Sequence, residues 1–146
     1  SDSGVYAIFS DAGGTGNGTI AQAKEYRVQG KNVWAIGVDS DQFQDGIYTG
    51  NESAVLTSML KRVETSTLVA LKAVQAGTFK GGVVTFDTKN EGVGFSTSNP
   101  ELSKAIVSKV EAVKKDIIAG KIAIVPTYAE AKAKGLVPSN LQASDN

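Results

Sequence analysis

Four glycines in six positions, Gly13, Gly14, Gly16 and Gly18, follow the apolar run 5–9 (VYAIF), and a carboxylate, Asp39, closes a second apolar run at 33–38 (VWAIGV). Residues of these types in this order can hold a sugar or a phosphate. Glycine lets the backbone take positive φ and bring bare N–H groups close to a ligand, and a helix beginning just after such a turn offers further unpaired donors. A carboxylate about 20 residues further on can accept hydrogen bonds from two vicinal hydroxyls. Strand, turn, helix and strand in sequence put all of these at the carboxyl edge of a parallel sheet, where α/β folds bind their ligands. The chemistry is that of holding something nucleotide-like; the plain alternative is an ordinary βα turn with an exposed acid.

The standard phosphate patterns are incomplete. G-x-G-x-x-G started at Gly14 keeps Gly16 but has Thr19 where the third glycine belongs, and no lysine follows Gly18. A neutral polar ligand suits the turn better than a pyrophosphate. With no histidine and no cysteine, the chain lacks Ser-His and Cys-His nucleophile systems and all imidazole or thiolate metal ligands. No cofactor and no metal are expected, and binding gains on catalysis. Lys+Arg and Asp+Glu are equal at 15 each, which supplies no basic field for nucleic acid. The length of 146 residues, 41% apolar and 21% charged, fits one soluble α/β unit. No apolar stretch approaches the ~20 residues that span a bilayer, and no signal peptide is read at Ser1.

The elements that must position these residues alternate. Runs 5–9 and 33–38 are continuously apolar, as parallel strands covered on both faces are. Between them the spacing predicts a helix from about Gly16 to Gln29, with Ile20, Ala23 and Val28 on one side and Gly30 as its left-handed end. Residues 41–52 read as a polar loop at the same edge as Asp39, and 54–60 as a third strand; Leu68, Leu71 and Val74 mark a second helix stopped by Gly77. Residues 82–86 and 92–95 are expected to form a β-hairpin arm. Asn99, Pro100 and Glu101 read as N-cap, first position and acidic first turn of a third helix carrying Leu102, Ile106, Val110, Val113 and Ile117 and ending at Gly120. A short apolar terminal strand at 122–125, closed by Pro126, and a short helix at 128–134 precede a polar tail. Trp34, inside an apolar strand, reads as core rather than as a base-stacking ring. So few strands cannot occupy three helices, and the chain is expected to be part of a larger fold.

Four blocks, 12–18 (AGGTGNG), 34–42 (WAIGVDSDQ), 55–63 (VLTSMLKRV) and 92–95 (GVGF), resemble in order and spacing the basic membrane protein family of ABC-transporter substrate-binding lipoproteins, whose best-understood members bind purine nucleosides. The resemblance spans nearly the whole chain and corresponds to the carboxy-terminal part, less than half, of such a protein. It implies an α/β, type I periplasmic-binding-protein-like fold, a parallel sheet with flanking helices in an incomplete two-lobe architecture. Residues 1–60 would be part of the second, carboxy-terminal lobe; residues 61–146 would be the crossover and the elements completing the first lobe, with a C-terminal helix and tail. The resemblance also implies that Asp39 and Lys61 hold the ribose and that Gly16 meets the ligand through its backbone, while the rings that sandwich the base lie in the part of the family sequence absent here. Asp11 departs from the family, which more often has a small residue there.

By the same resemblance the protein is extracytoplasmic and not an enzyme, and it is membrane-anchored through an N-terminal lipid not present on this chain. Its partners would be a nucleoside, an ABC transporter permease and the missing N-terminal half of the same protein. An ammonium from Lys61 near Asp39 would keep the carboxylate ionised and oriented, whereas Arg62 beside it reads as structural. Two other functions compete. A Rossmann-type nucleotide-dependent enzyme is disfavoured by the incomplete glycine pattern and the missing histidine; a ligand-sensing regulatory module could use the same lobes.

Overall fold

In a computed structural model that describes residues 4–125 and 127–138, the chain runs β1 (Ala7–Phe9), a 3-10 turn (Gly13–Thr15), α1 (Gly16–Val28), β2 (Trp34–Asp39), β3 (Ile47–Thr49), β4 (Glu52–Ser53), β5 (Val55–Lys61), α2 (Val63–Gln75), β6 (Val93–Phe95), α3 (Lys104–Ile118) and α4 (Tyr128–Ala133). It divides into two compact units, with the boundary between Val110 and Glu111, inside α3.

The first unit is built on a sheet of order β1-β2-β5-β6. β1, β2 and β5 are parallel, and β6 runs antiparallel to β5, pairing Met59 with Phe95 and Lys61 with Val93. Parallel neighbours need a crossover. α1 supplies it between β1 and β2, ending where Gly30 takes φ +76°. Its Ile20 and Ala23 pack with Ala35, Ala54 and Val55 as the buried core, and Tyr48 leans against them. Ala35 and Ala54 are fully buried, and such small side chains let the helix lie close on the sheet. Each large aliphatic group covered here contributes about 1.5–3 kcal/mol. Trp34 is buried as expected; its Nε1 donates to Asn32 Oδ1 at 3.0 Å, and the Arg27 guanidinium lies 4.0 Å from its ring centroid while pairing with Glu101 at 3.2 Å.

Four local expectations are corrected. The β2-to-β5 connection, read as a loop over 41–52, contains the antiparallel pair β3–β4. Turn-rich composition concealed two very short strands, which the Ala54 N–H, donating to the Gly46 carbonyl at 2.9 Å, closes. The hairpin arm is absent among the described residues: 82–86 is not strand. Phe86 instead covers Gly92, where an added Cβ would stand 2.4 Å from the Phe86 Cβ, and β6 takes the longer β5 as its partner. Asn99 does not cap α3. It is buried, its Nδ2 donating to the carbonyls of Val55 at 2.8 Å and Ser53 at 3.3 Å and its Oδ1 accepting from the Glu101 N–H at 2.9 Å. α3 starts later, with the Ser103 hydroxyl accepting from the Ile106 N–H at 3.3 Å. Residues 122–125 form no strand.

α2 has the expected apolar positions, yet Leu68, Leu71 and Val74 all stay exposed. In the second unit Lys121 pairs with Asp116 at 3.1 Å, and Thr127 caps α4 by accepting from the Glu130 N–H. Pro126 and the polar tail beyond residue 138 lie outside the described residues.

Candidate functional site

The glycine-rich turn joins β1 to α1. Gly13 has φ +52°, a conformation glycine adopts without a steric cost, and the Thr15 N–H donates to the Ala12 carbonyl at 3.1 Å to tighten the turn. Gly16 opens α1 in a buried position, and an added Cβ would stand 3.4 Å from the Ser10 carbonyl oxygen. The helix start therefore lies against the end of β1, where the Ser10 hydroxyl also donates to Thr19 Oγ1 at 2.8 Å. Thr15, at the cap position, makes no side-chain bond to the helix, and the first turn carries no acid. The cap thus leaves the first-turn N–H groups without a side-chain acceptor of its own.

β2 ends on Asp39, which is exposed and has φ +70°. Few non-glycine residues adopt that region. The Ser40 N–H donates to the Val38 carbonyl at 2.9 Å, the three-residue closure of a γ-turn in its rarer, positive-φ form. Around the turn stands a set of side chains. Gln42 Oε1 accepts from the Val38 N–H at 3.0 Å, the Gln42 N–H donates to Ser58 Oγ at 3.1 Å, and Gln42 Nε2 reaches Asn17 Oδ1 at 3.4 Å and Asp45 Oδ2 at 3.3 Å. Asp41 Oδ1 accepts from the Phe43 N–H at 3.1 Å, and its other oxygen accepts from the Ser98 hydroxyl. Burial pushes the Asp41 carboxyl up, but hydrogen bonds from Ser98, Ser96 and the Phe43 backbone outweigh it and hold the group below its ordinary value.

Lys61 ends β5, exposed, one residue beyond the Leu60 that stands in register with Asp39. No ion pair joins Asp39 to Lys61 among the described residues. Arg62 follows; its N–H donates to the Gly92 carbonyl at 2.9 Å, and its guanidinium lies over Gly94, where an added Cβ would meet Nη2 at 3.1 Å.

Two cavities meet at Asp39. One of about 290 Å3 is lined by Gly13, Gly14, Gly16, Asn17, Asp39 and Gln42 among others. Another of about 560 Å3 is lined by Asp39, Ser40, Asp41, Lys61, Arg62 and Glu64 among others. Gly16 and Asp39 thus share the first, Asp39 and Lys61 share the second, and Gly16 and Lys61 share neither of these two. Backbone N–H groups, amides and one carboxylate facing the first cavity can take a neutral ligand with vicinal hydroxyls, whose bonds to the carboxylate are charge-assisted. Reading by residue type overlooked Gln42, Ser58 and Ser98. A polar cluster, Asp39, Ser40, Asp41 and Gln42, closing an apolar strand was the signal available for the first of them.

The family model described as ABC transporter substrate-binding protein PnrA-like matches residues 1–127. The CD4+ T-cell-stimulating antigen of Listeria monocytogenes is 38% identical over 129 residues, covering 84% of this chain and 36% of the antigen. The ABC transporter nucleoside-binding protein BmpA of Lactococcus lactis subsp. cremoris is 35% identical over 130 residues, with the same coverage of each, 84% and 36%. The chain therefore spans little more than a third of the length of these relatives. In fold it is similar to an ABC transporter solute-binding protein from Aeropyrum pernix K1, with a TM-score of 0.67 at 24% identity over 90% of this chain and 44% of that one.

Proposed function

This chain belongs to the PnrA-like family of ABC transporter substrate-binding proteins, and we propose that it contributes the sugar-binding edge of a nucleoside site, with purine nucleosides as the preferred ligands. In this reading Asp39 accepts from the two ribose hydroxyls, Lys61 balances its charge, and Gly16 offers backbone to the ligand. The observation that carries the reading is that Asp39 lines both cavities, one with Gly16 and the other with Lys61. The name of the Lactococcus lactis relative, a nucleoside-binding protein, supports the ligand class. Residues 1–60 serve as part of one lobe and 61–146 as the crossover and elements of the other; the base is read by residues outside these 146. The whole protein captures its ligand outside the cytoplasm without turning it over, is held to the membrane by a lipid and delivers to a permease.

The test is a calorimetric matrix on the complete protein, of which we take this chain to be a part. Asp39→Ala removes two charge-assisted bonds and should weaken adenosine, guanosine and inosine binding by roughly 2–4 kcal/mol. Asp39→Asn should lose less, because one acceptor oxygen survives. Lys61→Ala should weaken all three without changing their order, and free adenine should bind poorly to the parent. An Asp39→Ala protein that binds adenosine like the parent, or a parent that prefers adenine, would overturn the ribose assignment.

A further inference from the structure

We propose that Gln42 is a positioning residue, whose side chain is what holds Asp39 in its positive-φ turn and so presents the carboxylate to the cavity. The functional meaning of this rests on the ribose reading above; the conformational claim stands on geometry alone. A non-glycine residue at φ +70° persists only where its surroundings impose the conformation. The γ-turn bond from Ser40 N–H to the Val38 carbonyl is one constraint, but a three-residue turn of this hand is strained by itself and needs another. Val38, the residue before Asp39, has its N–H bound by Gln42 Oε1 at 3.0 Å. Gln42 is in turn tied to the sheet, since its own N–H donates to Ser58 Oγ on β5 at 3.1 Å, and to the start of α1, since its Nε2 reaches Asn17 Oδ1 at 3.4 Å. One side chain therefore joins the end of β2 and the first turn of the helix that follows the glycine-rich loop.

Gly37 shows how closely the side chain is seated. A Cβ there would stand 2.5 Å from Ser58 Oγ, 2.8 Å from Gln42 Oε1 and 3.0 Å from Gln42 Cβ. The space that a side chain would fill on β2 is the space that Gln42 occupies. Asp41, bound to Phe43 N–H and to the Ser98 hydroxyl, anchors the turn on its other side, so Asp39 lies between two fixed residues while its own carboxylate has no hydrogen bond or ion pair among the described residues.

The experiment is a double-mutant cycle in the complete protein of which we take this chain to be a part, followed by urea unfolding and by amide exchange, with no ligand present. Asp39→Gly accepts φ +70° without steric cost and should raise the folding constant. Gln42→Ala should lower it in the parent by roughly fivefold or more beyond its effect in the Asp39→Gly background. Relative to the Ala35 N–H, which donates to the Ala54 carbonyl in the core at 2.8 Å, the Val38 and Ser40 amides of Gln42→Ala should exchange about tenfold faster. Should Gln42→Ala prove too unstable to fold, recovery of a folded chain by adding Asp39→Gly supports the proposal, and failure to recover it overturns it. Additive stabilities, or Val38 and Ser40 protection unchanged relative to Ala35, also overturn it. None of these readings depends on a nucleoside, so the ribose assignment can fail in the calorimetric matrix while this proposal stands, and the reverse.

Discussion

A methyl group placed on Gly37 is the sharpest probe of how the Asp39 turn is supported. Gly37 is buried in the middle of β2, in register with Ser58 on β5. The added Cβ of Gly37→Ala would fall 2.5 Å from Ser58 Oγ and 2.8 Å from Gln42 Oε1. Ser58 is fully buried, so its hydroxyl has nowhere to swing, and Gln42 must move instead. Overpacking of this kind costs about 1–3 kcal/mol. Displacing Gln42 further endangers the bonds from Val38 N–H at 3.0 Å and to Ser58 Oγ at 3.1 Å, each worth about 1 kcal/mol net. Against this, alanine restricts the unfolded chain and returns about 0.4–1 kcal/mol. The balance is a net loss of roughly 2–4 kcal/mol. Urea unfolding reads it as a lower midpoint at unchanged slope. Gly18→Ala is the control: nothing lies within 4 Å of a Cβ there and φ is not positive, so it should be neutral or stabilising by up to ~1 kcal/mol. A Gly37→Ala loss under about 1 kcal/mol, or an equal loss in Gly18→Ala, would refute the account of the packing.

Asn99→Ala should destabilise the chain by roughly 2–4 kcal/mol, because one buried side chain makes three hydrogen bonds that tie residues 99–101 to Ser53 and Val55. Urea unfolding checks this, and a variant within about 1 kcal/mol of the parent would show those bonds to be replaceable. Asp41 gives a pH dependence whose sign follows from its lowered folded-state value. Its stabilising contribution is fully present above the unfolded value of 3.8 and is lost as pH falls through the lower folded value. The unfolding midpoint of the parent should therefore approach that of Ser98→Ala as the solution is taken from neutral pH to well below the unfolded value of 3.8, and curves that stay parallel throughout would contradict the assignment.

What was legible in the sequence, and what was not, divides by the range of the interactions. α1 was readable because Ile20 and Ala23 fall on one face, are buried and are followed by Gly30, although Val28, read on the same side in the last turn, stays exposed. β2 was readable because its apolar run from Trp34 to Val38 is buried or half-buried throughout. Asn99-Pro100-Glu101 has a strong local signature for a helix start, yet the buried carbonyls of Ser53 and Val55, more than forty residues away, claim the asparagine. Residues 82–86 have strand-forming types, but Val83 and Val84 are exposed, and nothing local could reveal that β6 would pair with β5 instead. The same division runs through the candidate site. The identity of Asp39 and its place at the end of β2 were visible, because strand ends and residue types are local properties. Its φ of +70° was not, since few non-glycine residues adopt that region and the contacts around it come from Asn17, Ser58 and Ser98. Gly37, which by propensity alone only weakens a strand, is a demand for space made by Gln42 and Ser58. If binding needs the Asp39 carboxylate held at one angle, the chemistry of the site depends as much on an uncharged glutamine as on the acid it supports, and a search by chemically reactive residue types passes over that glutamine.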